Sequence, residues 1–121
     1  MTNRNTDVNF TPFAYSSISA TYIAPKGKYI FICIERSPFS KTSPENNHEL
    51  WRISPDGKES TKIDEGLNIL KRKGCFIIKK ISRLRKIKNK NGIKQQWMMR
   101  DHYYDLDGHI IWAKDEYEYR K

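Results

Sequence analysis

His102 and His109 stand seven residues apart around an Asp105-Leu106-Asp107-Gly108 turn, with Arg100 and Tyr104 in the same stretch. Two imidazoles and a guanidinium on one face would supply the base, acid and cation that metal-independent RNA cleavage requires. The same turn offers a second chemistry, because His102, Asp105, Asp107 and His109 carry atoms that could converge on a metal ion. Their spacing matches no recognised metal motif, and Asp-rich turns are ordinarily just turns. The chain has no Gly-rich phosphate loop and no serine on a sharp strand-to-helix elbow, so nothing fixes a nucleophile. The sequence therefore points to binding rather than catalysis, with no cofactor and no metal. A small ribonuclease using His102 and His109 is the third of three readings.

The stronger chemical signal is charge. Between Lys71 and Arg100 lie twelve Lys or Arg residues and no Asp or Glu. The rest of the chain holds the other 11 basic residues against all 14 acidic ones, a net of −3 in a molecule whose total is +9. A fold that displayed this block on one side would attract an acidic partner at long range, and salt would weaken that attraction. Part of the charge reflects composition: Ile, Lys and Asn supply 38 residues and Ala only four, as expected of an AT-rich coding sequence. Such a bias enriches Lys everywhere, but it gives no reason for acids to be missing from thirty consecutive residues.

At 121 residues the chain fits one domain. No apolar run approaches the roughly 18 residues of a membrane helix. The polar start, Met1 to Phe10, lacks the basic-then-hydrophobic pattern of an export signal, so the expected location is the cytoplasm. Cys33 and Cys75 each lie in an apolar run without disulfide or zinc spacing, and are expected to be buried thiols.

The elements that must position these residues read as strands. Residues 1–11 are polar and expected to fray, leaving 12–121 as a single β-rich domain. Ser17 to Ile23 alternates polar and apolar, and Tyr29 to Glu35 is apolar on both faces. With the turn Ala24-Pro25-Lys26-Gly27-Lys28 between them they predict a hairpin whose second strand is central. Ser37 to His48 reads as a surface loop. Glu49 to Ile53 and Lys58 to Ile63 flank Ser54-Pro55-Asp56-Gly57, the clearest hairpin turn in the chain. Asp64 to Lys73 fits a short helix or a strand.

Cys75 to Lys88 has two readings. As a helix it is basic and amphipathic; as a strand it begins a long hairpin that turns at Asn89-Lys90-Asn91-Gly92. The strand is favoured, because both neighbours look like strands and no N-cap precedes Cys75. A two-residue turn after Tyr104 would place Trp97, Met99, Tyr103, Ile110 and Trp112 on one face. Arg100, His102, Tyr104 and His109 would share the other with Ile111, and a bulge would invert this assignment after the turn. The expected fold is all-β: an antiparallel meander or partial β-propeller-like curved sheet of six to eight strands, with room for one short helix.

Two short resemblances support that class. Glu49-Leu50-Trp51-Arg52-Ile53-Ser54-Pro55-Asp56-Gly57-Lys58-Glu59 resembles the outer hairpin of a β-propeller blade. Tyr104-Asp105-Leu106-Asp107-Gly108-His109-Ile110-Ile111, followed by Tyr117-Glu118-Tyr119, is similar to one YD-repeat unit of Rhs-type proteins. Both consist of an aromatic strand meeting an Asp-Gly turn. They imply antiparallel β-structure and carry over no functional residue, and 121 residues cannot supply the four blades of a closed propeller.

The leading functional expectation is a small binding protein that neutralises a protein partner with an acidic surface, namely a bacterial immunity protein guarding against a delivered toxin. Its contact set would be Lys79, Lys80, Arg83, Arg85, Lys86, Arg100, His102 and Tyr104, with Tyr104 or Trp97 as a buried anchor. The alternative is a nucleic-acid-binding module using residues 71–100, where Phe76, Trp97 and Tyr104 interleave with phosphate-neutralising charge.

Overall fold

A computed structural model describes residues 16–24, 28–37 and 43–120. The expected frayed stretch 1–11 and the core of the first turn, residues 25–27, lie outside them. The described residues contain nine strands and no helix, hence none long and apolar enough to cross a membrane. The strands are β1 (Ser16–Ile23), β2 (Ile30–Arg36), β3 (His48–Ile53), β4 (Ser60–Gly66), β5 (Asn68–Arg72), β6 (Cys75–Asn89), β7 (Gly92–Tyr104), β8 (Ile110–Ala113) and β9 (Tyr117–Glu118). The all-β antiparallel class expected from the sequence is the one found. The helical options do not hold: Cys75 to Lys88 lies within β6, and Asp64 to Lys73 holds the end of β4 and all of β5.

The first sheet is a meander in the order β1-β2-β3-β4, with β2 central as expected. The second runs β5-β6-β7-β8, and β9 adds to the same edge of β7 as β8. At the β3–β4 corner Gly57 takes φ 73 and donates its N–H to the Ser54 carbonyl at 2.8 Å, while Asp56 accepts from Ser54 Oγ and from the Lys58 N–H. A Cβ there would be strained, which is why glycine follows Pro-Asp.

The two sheets pack through Phe31 and Leu50 of the first against Phe76, Ile78 and Tyr104 of the second. The Phe31 and Phe76 rings lie 4.9 Å apart, and Tyr22 meets Phe76 edge-on at 5.7 Å. Ile32, Ile34 and Ile53 form a second buried cluster on the opposite face of β2 and β3, the residue pattern expected of a strand apolar on both sides. Cys33 and Cys75 are half-buried rather than fully buried as expected. Burial pushes the Cys33 thiol up to about 11.

Beyond the reach of β5, the edge of β6 is capped by a side chain. Asn46 donates to the Ile81 carbonyl at 3.0 Å and accepts the Ile81 N–H at 2.7 Å, acting as a one-residue strand. Next to it β6 bulges at Ser82. Asn46→Ala leaves both backbone groups of Ile81 without a partner and is expected to cost about 1–2 kcal/mol, read from urea unfolding.

Candidate functional site

The cationic block does not form one patch. It divides into a neutralised middle and two free ends, because three carboxylates meet its middle: Asp64 from β4, Asp101 from β7 itself and Glu116 from the connection between β8 and β9.

Lys80, Arg100, His102 and Tyr104 share the face of the second sheet that packs on the first. There Asp64 of β4 accepts from Lys80 Nζ at 2.6 Å and Tyr104 Oη at 2.6 Å, and lies 2.9 Å from His102 Nδ1. Burial works to raise the Asp64 pKa, but the hydrogen bonds from Lys80, Tyr104 and His102 outweigh it and hold the carboxyl below the usual aspartate range. Burial, then the bond to Asp64, pushes the Tyr104 phenol well above its ordinary value. Arg100 stands directly opposite Lys80, and its Nε is buried without a hydrogen-bond partner.

On the other face Asp101, only 2 % exposed, accepts from Lys79 Nζ at 3.1 Å and from the Tyr117 hydroxyl. A cleft of about 640 Å³ adjoins this anchor, between Leu67, Met99 and the stretch Tyr117 to Arg120. Its charged residues are paired, Lys79 with Asp101 and Arg120 with Glu118, which leaves it no free acid–base couple. Further along, Glu116 binds Arg83 Nη2 at 3.0 Å and Ser82 Oγ at 2.5 Å, and these bonds hold its carboxyl below the usual glutamate range.

Past Arg83 and Met98 the geometry changes. β5 pairs with β6 only as far as Lys79, and β8 and β9 reach β7 only between Met98 and Tyr104. From Leu84↔Trp97 to Asn89↔Gly92 the hairpin runs on as a two-stranded ribbon, with no described strand on either edge. Six residue pairs give it a length of about 20 Å. It carries Arg85, Lys86, Lys88, Lys90 and Lys94, no acid, and four amides: Asn89, Asn91, Gln95 and Gln96. Residues 88–95 are all exposed. Arg85 bonds the neutral Gln96 side chain, so its charge is oriented but not cancelled. Among the described residues none of the five cations has an ion-pair partner. Lysines along both open edges also discourage pairing with further strands.

The other free end is the β5–β6 turn, where Lys71, Arg72 and Lys73 are exposed and Lys71 lies 4.5 Å from the Tyr22 ring centroid. The part of β6 that precedes the ribbon, Cys75 to Arg83, separates the two by roughly 30 Å.

The eight residues expected to form one contact surface are thus divided. Lys79, Lys80, Arg83, His102 and Tyr104 bond internal carboxylates, Arg100 lies between them, and only Arg85 and Lys86 belong to the free ribbon. Trp97 is half-buried at the ribbon's base. The two histidines serve different acids: His102 faces Asp64, whereas His109, with its side chain 73 % exposed, lies 3.9 Å from Asp105. Asp105, Asp107 and His109 offer ligand atoms within 4.8 Å of one another, but His102 is drawn away to Asp64. Asp105 Oδ1 accepts the N–H groups of Asp107 and His109, the normal business of such a turn.

After the turn, Tyr103 meets Trp112 as expected, with ring centroids 4.9 Å apart. A bulge at Ile111 then sets Ile110 opposite Tyr104 instead of on the Tyr103 face. Ile110, Ile111 and Trp112 are all more than half exposed on β8, whose outer edge no described strand covers.

Of the three neutralisers, sequence reasoning missed Asp64 and Asp101; Glu116 comes from the acidic stretch after Lys114, whose acids the sequence allows to sit across a sheet from the basic block. No family model, curated protein or solved structure matches this chain.

Proposed function

We propose that this chain is a non-enzymatic nucleic-acid-binding module that engages phosphates through the β6–β7 ribbon. The observation that carries this reading is the ribbon itself: five cations without an acid, on a two-stranded projection whose charges nothing described neutralises. Its composition favours nucleic acid over an acidic protein surface. Four of the five cations are Lys, the other side chains from 85 to 96 are Ile or amides apart from one glycine, and there is no aromatic. Protein interfaces are depleted in Lys and anchored by aromatics and Arg, whereas phosphates are met by point charges and amide donors.

Affinity for a short duplex, measured by fluorescence anisotropy, is expected to fall with salt at a log–log slope of about −4, the value for some five phosphate contacts. Replacing Lys86, Lys88, Lys90 and Lys94 together by Gln is expected to flatten that slope by about 3 to 4 units. Absence of binding at low salt, or an unchanged slope in this variant, overturns the proposal.

A second reading, the protein-neutralising one expected of a cytoplasmic bacterial immunity protein, is supported by β8. Ile110, Ile111 and a Trp112 backed by Tyr103 make an exposed apolar edge of the kind that anchors protein partners. In this reading the ribbon steers an acidic toxin towards that edge, so the Gln variant slows association while Trp112→Ala speeds dissociation. Co-purification of the chain from its native host, with the captured species identified as protein or nucleic acid, separates the two readings.

A further inference from the structure

We infer that the outer face of the ribbon reads the major groove of duplex DNA. The inference rests on the nucleic-acid reading above and names its substrate class. Residues directly opposite in an antiparallel pair project from the same face, so Lys86 stands beside Gln95 and Lys88 beside Ile93. All four are exposed, Ile93 at 67 %. They form a two-by-two array whose ranks are about 6.8 Å apart, two base-pair steps along a duplex.

The chemistry of this array matches base edges. A Gln amide pairs with adenine N6 and N7 and an aliphatic side chain packs on the thymine methyl, while the two lysines beside them meet phosphates. The opposite face is differently equipped. Its amide, Gln96, is 8 % exposed and occupied by Arg85, which leaves Lys94 on that face and Lys90 at the tip to meet flanking phosphates.

Shape selects the duplex form. Two strands about 4.8 Å apart with their side chains fill a B-DNA major groove about 12 Å wide, and the deep, narrow major groove of A-form RNA does not admit them. The charge-free arrangement of Gln95 and Ile93 between four lysines is the sequence-reading part, and the lysines are the sequence-blind part.

Selection of bound duplexes from a random DNA library is expected to enrich a short motif containing an A·T pair. The selected duplex should bind about tenfold or more tightly than a scrambled one and than an RNA duplex of the same sequence. Gln95→Ala and Ile93→Ala are expected to remove that preference, lowering affinity for the selected duplex to that of the scrambled one. Lys94→Gln should weaken both duplexes equally. These positions are exposed, and a thermal melt of each variant confirms an intact fold. RNA duplex or single strand bound as tightly as DNA, with the salt slope retained, overturns the groove reading and leaves phosphate binding standing. No salt-dependent binding to any nucleic acid overturns both.

Discussion

Replacing Asp64 by Ala is expected to lower the unfolding free energy by about 3 kcal/mol at neutral pH and the melting temperature by roughly 10 °C. The size of the effect follows from what one carboxylate holds. Asp64 is the acceptor for Lys80, Tyr104 and His102, three side chains from two strands of the other sheet, at 2.6, 2.6 and 2.9 Å. Its own side chain is 10 % exposed and that of Lys80 22 %, so water replaces little of what is lost. Truncation strands the Tyr104 hydroxyl and leaves Lys80 beside Arg100 with no opposing charge between the sheets. Asp64→Asn keeps an acceptor for Tyr104 but not the charge, and should cost about half as much.

The sign of the pH dependence follows from the same site. An unfolded aspartate titrates near about 3.9, and folded Asp64 is held lower, so its contribution is complete above about pH 5. It disappears as pH falls through the folded-state pKa, because the folded carboxylate must then take up a proton that the unfolded one already holds. Urea unfolding across the acid range should show wild-type stability falling below about pH 4 with a steeper slope than the Asn variant. Equal slopes would mean that Asp64 is not the anchor between the sheets.

The strands were legible in the sequence because hydrophobic alternation and turn residues are local signals. Pro55-Asp56-Gly57 and Asn91-Gly92 mark their corners, and the isoleucines of Cys75 to Ile87 fit a strand once its neighbours are strands. The division of the basic block was not legible, and the reason is one residue. With the turn fixed at Asn89↔Gly92, an unbulged hairpin would set Lys80 opposite Asp101 and Lys79 opposite His102. The bulge at Ser82 shifts the register, so Lys79 meets Asp101 and Lys80 faces Arg100 and Asp64. No residue type announces that bulge; Asn46, thirty-five residues away in sequence, caps Ile81 beside it. Asp64 lies 16 residues from Lys80, 38 from His102 and 40 from Tyr104 in sequence, and only the packing of the two sheets brings them together. Spacing in the sequence leaves the ribbon without an acid of its own, and it stays unneutralised because no other described strand reaches past Arg83 and Met98 to bring one.

The crossing that carries Asp64 also depends on Gly66 two residues later, and Gly66→Ala is expected to cost about 3 kcal/mol. The cause is space rather than backbone conformation. A Cβ on Gly66 would lie 2.6 Å from the Lys79 carbonyl oxygen and 2.7 Å from Ile78 Cγ2. Neither can give: the carbonyl already accepts the Leu67 N–H at 2.7 Å, and Ile78 is completely buried in the core between the sheets. The end of β4 must therefore back away from β6, which breaks the Leu67 hydrogen bond and draws Asp64 off Lys80. Gly74 supplies the contrast. It has φ 81 but open space around it, so Gly74→Ala adds only backbone strain of about 1 kcal/mol. Equilibrium unfolding of the two variants should rank Gly66→Ala well below Gly74→Ala in stability. The reverse order would show that glycine is needed here for its dihedral freedom, and that the close approach of β4 to β6 does not hold the sheets in register.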